Sequence, residues 1–278
     1  MLSSPKVDFY DAQYSRFAEE LYRAIRLETH GEDIGQNGWL SAAEHDLFLS
    51  WLELRPEDHL LDVACGSGGP SLRIAQRERC RVTGIDIHAD AIARARESAA
   101  GLGLQERATF EQQERATFEQ ADAAGTLPFG ARTFDALICV DAINHLSHRA
   151  QVIAEWVRVV KPGGRIVFTD PIVVTGELSN EEIAIRSSIG YFLFVPPGED
   201  RRLLTAAGCE VLREEDCTAN TARAARQWRQ ARAKREAALR QIEGDASYEG
   251  QQRFLDVAAQ VAEQQRLSRF AYLARTPR

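Results

Sequence analysis

Leu60-Leu61-Asp62-Val63-Ala64-Cys65-Gly66-Ser67-Gly68-Gly69-Pro70-Ser71 decides how this chain is read: an apolar run enters a glycine-rich turn, and a helix follows. Such a turn lets backbone approach a ligand closely, and the helix N-terminus offers free N–H groups to an anion. Beyond Pro56, short apolar runs alternate with amphipathic stretches, which is the pattern of β-α-β units around a mostly parallel sheet. Strands are expected at 59–64, 81–86, 116–121, 134–140 and 164–169, and helices at 68–78, 88–101 and 149–160. The last helix stops at Lys161-Pro162-Gly163-Gly164, where proline cannot continue it and glycine supplies the reversal.

The flanks are more helical. Residues 8–54 carry a helical pattern with Phe17, Leu21, Ala24 and Ile25, interrupted by a glycine-rich turn from Gly31 to Trp39. After Asp170 the pattern predicts a helical stretch at 179–190, a break at Pro196-Pro197-Gly198, a helix to Ala207 and a strand at 209–215. Helices at 219–243 and 247–264 then precede a last strand, Leu267 to Ala274. The expected fold is α/β: a Rossmann-like, doubly wound, seven-stranded, mostly parallel sheet with an N-terminal helical cap and a C-terminal helical insertion. The expected division is a cap over 1–54, a cofactor-binding core over 55–170, and completion of the sheet with a helical substrate cap over 171–278.

One segment is duplicated: Gln105-Glu106-Arg107-Ala108-Thr109-Phe110-Glu111-Gln112 is followed at once by the same residues, Gln113 to Gln120. The unit is too short for a solenoid, whose periods run from about 20 to 50 residues. Only the second copy leads directly into Ala121-Asp122, so the strand is assigned there and the first copy to an extended helix end or a bulging loop.

Composition narrows the function. A chain of 278 residues, 44% hydrophobic and 27% charged, can bury a full α/β core with one helical elaboration. A formal charge of −7 gives no field drawing it to phosphate backbones or anionic lipid. The N-terminus lacks the basic-then-apolar pattern of a targeting segment, and no apolar run is long enough to span a bilayer. A soluble, cytoplasmic protein, monomeric or homodimeric, acting on a small molecule is expected, with neither nucleic acid nor membrane as partner. The five cysteines are scattered without metal spacing, so reduced thiols and no metal site are expected.

Asp86 closes the second strand twenty residues after Gly66 and can accept hydrogen bonds from ribose hydroxyls. NAD and S-adenosylmethionine (SAM) both supply a ribose. The anion at the glycine turn would be a pyrophosphate for NAD and the methionine carboxylate for SAM, with Asp62 available to the SAM ammonium. The third glycine of the dinucleotide fingerprint would fall at Ser71, and Asp122 after the third strand suits an adenine amino group; both favour SAM. With Thr133-Phe134-Asp135-Ala136-Leu137-Ile138 and Lys161-Pro162-Gly163-Gly164, these residues resemble the class I SAM-dependent methyltransferases over residues 55 to 170. The chain departs from that family at Ala64, where the family usually has glycine. The resemblance implies SAM contacts from Asp62, Gly66, Ser67, Gly68, Asp86, Ile87, Asp122, Ala123, Asp141 and Gln36.

Three stretches look more narrowly like the small-molecule N-methyltransferases of the phosphoethanolamine and sarcosine/dimethylglycine type. They are Asp141-Ala142-Ile143-Asn144-His145-Leu146, the Gln13-Tyr14 and Tyr22 set, and Gly31-Glu32-Asp33-Ile34 with Phe168-Thr169-Asp170-Pro171. In the phosphoethanolamine group the matching histidine and tyrosine close over SAM. That likeness implies His145 as base or orienting residue, its other reading being a helix cap, and Tyr14 as a water-excluding lid, its other reading being packing against the sheet. The phosphate-holding Arg and Tyr residues of that group are replaced by an apolar run from Ser187 to Pro197, with only Arg186 nearby. A pocket lined by Tyr191, Phe192 and Phe194 would suit an apolar acceptor. Trp39, Asn144, Arg186, Tyr191, Phe194 and Trp228 are the candidate acceptor residues. Helix 219–243 bears Arg223, Arg226, Arg229, Arg232, Lys234, Arg235 and Arg240, read as a solvated basic face or, alternatively, a docking face for an acidic carrier or anionic substrate. The competing functions are an NAD-dependent oxidoreductase and a SAM-binding cyclase that transfers no methyl group.

Overall fold

The computed structural model describes residues 16–17, 19–112 and 126–278. Seven strands form one sheet in the order β3-β2-β1-β4-β5-β7-β6. They are β1 (His59–Val63), β2 (Arg81–Asp86), β3 (Ala108–Gln112), β4 (Phe134–Cys139), β5 (Val160–Val174), β6 (Glu210–Asp216) and β7 (Leu267–Arg275). β1 to β5 pair in parallel, and β7 runs antiparallel to both β5 and β6. This is the doubly wound, mostly parallel sheet expected from the strand-helix alternation.

Successive residues of β1 feed opposite layers, because side chains alternate along a strand. Leu60 packs with Phe48 and Leu49 of α2 (Ala42–Leu52), Leu72 of α3 (Gly69–Arg77) and Ile92 of α4 (Ala89–Gly101). Leu61 packs on the other side with Val152, Ile153 and Trp156 of α5 (Arg149–Val159). Burial on both faces is why these strands read as near-continuous apolar runs. α2 begins cleanly because the Ser41 hydroxyl accepts the Glu44 N–H at 3.2 Å.

The third strand is placed differently from the expectation. The first copy of the repeat forms β3, paired to β2 with Val82 opposite Ala108 and Gly84 opposite Phe110. The second copy, to which the strand had been assigned, lies outside the described residues, as do Asp122 and Ala123. The reason is loop length. α4 ends at Gly101, Gly103 turns the chain with φ +66, and Leu104 N–H bonds to Ala99 O at 2.8 Å, which delivers Ala108 straight to the sheet edge. Phe110 then fills the space over Gly84, where a Cβ would come within 2.6 Å of its ring.

α1 (Glu20–His30) does not stand apart from the C-terminal helices. Ile25 shares a cluster with Ala231 of α8 (Thr218–Ala233), Leu239 of α9 (Glu236–Glu243) and Tyr248 of α10 (Asp245–Glu263). The Tyr22 hydroxyl donates to Glu243 at 2.9 Å across the same junction. The predicted helix 219–243 is thus two helices, and α1 packs with them and with α10 in one layer. α6 (Asn180–Arg186), opened by a Ser179–Glu182 capping box, and α7 (Glu199–Ala206) complete the described helices. No helix among the described residues is long and apolar enough to cross a membrane.

Candidate active site

The strand order reverses between β1 and β4, and ligands of doubly wound sheets bind at the carboxyl ends of strands flanking that point. Here β1 runs into Ala64-Cys65-Gly66-Ser67-Gly68. Gly66 and Gly68 take φ +56 and +76, and Ala64 takes +60, a left-handed conformation that favours glycine, the residue the family resemblance leads one to expect at that position. Gly66 N–H donates to Asp86 Oδ2 at 2.8 Å and His88 N–H to Oδ1 at 2.9 Å, so the acid at the end of β2 fixes the glycine turn. Each oxygen keeps a second lone pair for a ribose hydroxyl. Burial raises the Asp86 pKa, opposed by the His88 and Gly66 N–H bonds.

Above the turn lies an open cleft of about 560 Å³ bordered by Gln36, Asp62, Gly66, Ser67 and Asp141 from the expected cofactor set. Gly68, Asp86 and Ile87 do not border it; Gly68 caps α3, and Ile87 is on the surface. Asp62 is buried and accepts a hydrogen bond from the Ser71 hydroxyl, the residue that replaces the dinucleotide glycine. Burial pushes the Asp62 pKa up to about 7, with the Ser71 bond opposing and the Asp86 charge adding. The 31–38 loop lies directly on the start of α3. A Cβ on Gly69 would meet Ile34 O at 2.2 Å, and Arg73 of α3 holds Glu32 at 2.6 Å. Gln36 braces this loop, accepting from Ile34 N at 2.8 Å and donating to Glu32 O at 3.1 Å.

The residues fit the amino-acid end of SAM on the structure's own terms. Asp62 is a buried carboxylate able to pair with a cation, the N-terminal residues of α3 border the cleft, and the buried Ser67 hydroxyl has no partner among the described residues. Two residues that sequence reading passed over, Asn37 and His45, also border this cleft. His45 sits on the apolar stripe of α2 with Ala42, Phe48, Leu49 and Leu52, and in sequence such a histidine reads as a core residue.

A second open cleft, about 580 Å³, adjoins the first and shares Asn37, Gly38 and Asp141 with it. Its walls are Trp39, Ile189, Phe192, Trp228, Phe254 and Leu255, with Asn144, His145, Arg186 and Gln251 among them. Of the candidate acceptor residues, Trp39, Asn144, Arg186 and Trp228 come together here. Tyr191 and Phe194 do not, which corrects the expected lining. Tyr191 is 56% exposed, and Phe194 packs with Ile172, Val261 and Leu267. Trp39 stacks on Phe254 at 6.3 Å and meets Trp228 edge-on at 6.3 Å, while the Arg186 guanidinium lies 4.5 Å from the Phe254 ring.

His145 ends a short 3-10 turn, Ile143–His145. Its Nδ1 lies 2.7 Å from Tyr191 O, and because a carbonyl only accepts, Nδ1 carries the proton in that bond. The lone pair is then on Nε2, 3.2 Å from the Asn144 amide nitrogen. Loss of solvent lowers the His145 pKa, so the ring is neutral at physiological pH. Tyr14, its expected lid partner, lies outside the described residues.

Asp141, between the clefts, has left-handed backbone with φ +54. Thr169 holds it twice, accepting from its N–H and donating to Oδ1, both at 2.7 Å. Arg269 Nε donates to Oδ1 at 2.6 Å, and Trp39 N–H donates to Oδ2 at 3.1 Å. Arg269, fully buried on β7, also grips Glu44 of α2 at 2.7 Å. Burial alone would lower its pKa, but Asp141 and Glu44 more than offset that and hold it charged. Six of the seven cations read on the basic helix are paired with acids. Arg226 pairs with Glu263, Arg229 with Asp256, Arg232 with Glu243, and Lys234 and Arg235 with Glu28. Arg240 pairs with Glu236, Asp245 and Glu249.

Comparison with known proteins agrees with this geometry. The family described as "Methyltransferase domain" matches residues 61–168. The chain is 32% identical over 179 residues to 27-O-demethylrifamycin SV methyltransferase of Amycolatopsis mediterranei (strain S699), covering 63% of this chain and 62% of that protein. It is 28% identical over 165 residues to glycine/sarcosine/dimethylglycine N-methyltransferase of Actinopolyspora halophila, covering 59% of this chain and 28% of that protein. The chain thus spans less than two thirds of the length of these relatives. Among solved structures, the [4+2]-cyclase SpnF superposes with a TM-score of 0.74 at 23% identity, covering 96% of this chain and 94% of that one. The glycine turn, the acid that ends β2, the strand order and the matched family together identify residues 61–168 as a class I SAM-dependent methyltransferase domain.

Proposed function

We propose that the chain methylates an oxygen or nitrogen of a small, largely apolar molecule held in the aromatic cleft, with His145 removing the acceptor's proton. The observation that carries this reading is the common wall of Asn37, Gly38 and Asp141, which sets a cofactor cleft against an acceptor cleft that His145 borders. SAM supplies an electrophilic methyl group on a sulfonium. The protein's part is alignment, exclusion of water and proton removal. Trp39, Phe192, Trp228 and Phe254 make an apolar enclosure, and Asn144, Arg186 and Gln251 supply the few polar contacts that orient a ligand. The Tyr191 carbonyl fixes the His145 tautomer, so Nε2 is the basic nitrogen; the Asn144 amide donates to it at 3.2 Å and gives up that bond when Nε2 takes the acceptor's proton.

An oxygen acceptor is supported by the relative named for a 27-O-demethyl substrate, and the apolar walls support a bulky one over a phosphorylated amine. In this reading residues 55–170 hold the cofactor, and 1–54 with 171–278 close over the acceptor in a cytoplasmic enzyme whose cysteines stay reduced. The test is transfer of labelled methyl from SAM to a panel of phenols, alcohols and amines. The His145→Ala variant should lose about 10²- to 10⁴-fold in kcat, the usual range for general-base catalysis, with cofactor affinity intact. Full activity in that variant removes His145 from the mechanism. An acceptor rearranged with no S-adenosylhomocysteine formed replaces methyl transfer by cyclisation.

A further inference from the structure

Three buried hydrogen-bond donors from three separate segments border the cofactor cleft, and none has a partner among the described residues. They are Asn37 Nδ2 in the loop ahead of α2, the His45 ring on α2, and Ser67 Oγ in the glycine turn. Buried polar side chains in folded proteins are nearly always bonded, so three such groups around one cleft point to a ligand that completes them. Asn37 Nδ2 can only donate, Ser67 donates through its hydroxyl, and a neutral imidazole carries one N–H. A convergent set of donors calls for an acceptor-rich group, and the N-terminal end of α3 beside it favours an anion.

His45 is fully buried, and Arg73, in the first half of α3, is close enough to help depress its pKa, which burial chiefly lowers to about 4. The ring therefore stands beside α3 as a neutral donor. Two acids border the same cleft; Asp141 is held by Arg269, Thr169 and the Trp39 N–H, so Asp62 is the acid placed for the ammonium, which leaves the donor set to the carboxylate. We propose that His45, with Asn37 and Ser67, holds the methionine carboxylate of the cofactor, and that His45 is a specificity residue for the amino-acid end of that ligand. This rests on the assignment of the cleft to SAM.

The test is calorimetric binding of S-adenosylhomocysteine and of 5′-methylthioadenosine, which lacks the amino-acid end, to the full chain and its variants. His45→Leu should weaken S-adenosylhomocysteine by about 10- to 100-fold, the range for a hydrogen bond to a charged group, and leave 5′-methylthioadenosine unchanged. His45→Gln, which restores an N–H donor, should recover most of the loss. Asn37→Ala, in a loop, should show the same selectivity if His45→Leu does not fold. Equal losses for both ligands, or no loss for either, overturn the role of His45 while leaving the cofactor assignment standing. Failure of the unsubstituted chain to bind either ligand overturns both.

Discussion

Asp62 combines full burial, a bond from Ser71 and the nearby charge of Asp86, and its pKa of about 7 follows mainly from the first of these. A protonated Asp62 cannot pair with an ammonium group. As pH falls below about 7 the cofactor's affinity should therefore fall, approaching a limit of about tenfold per pH unit on the acid side. Calorimetry between pH 5.5 and pH 7.5 checks the slope, and Asp62→Asn should bind weakly and flatten it. An unchanged affinity across that window would mean Asp62 does not face the ammonium. The mutual placement of Asp62, Gly66 and Asp86 was legible in the sequence because a strand, a tight turn and a second strand fix it through local geometry. His45 could not, since nothing local separates a core histidine from one left unsatisfied at a ligand cleft.

At the scale of elements, the duplicated octapeptide tests how a strand is chosen. Both copies have the same β-forming pattern, so local propensity cannot select between them. The short α4–β3 turn does, because closing a shorter connection costs less entropy. Phe110 is buried against Gly84 and Gly68, so Phe110→Ala should destabilise the fold by about 3–5 kcal/mol in denaturant unfolding. A negligible loss would mean that the second copy supplies β3. The basic helix makes the same point. Its seven cations looked like a face for an acidic partner, yet six of them are paired with acids. Those acids come from α1, α9 and α10, and apart from the local Arg240–Glu236 pair the pairing depends on how these helices pack.

At the scale of the whole molecule, Arg269 joins the last strand to α2 and to the loop after β4 through Glu44 and Asp141. Arg269→Met would leave two carboxylates buried without their cation, and unfolding stability should drop by about 3–5 kcal/mol, the cost of breaking a buried ion pair from one side. Cofactor affinity should fall with it, because Asp141 and the Trp39 backbone are held by the same network. A variant as stable as the parent would show that the network relaxes around the loss. The sequence alone determined the sheet, the glycine turn and the acid that ends β2, because periodicity, turn chemistry and strand spacing act over a few residues to a few tens. Only the tertiary structure decided which repeat copy pairs, which aromatics wall the second cleft, and that α1 packs with the C-terminal helices. Those outcomes depend on contacts between segments as much as 225 residues apart, as Glu44 and Arg269 are, whose packing free energy no local pattern encodes.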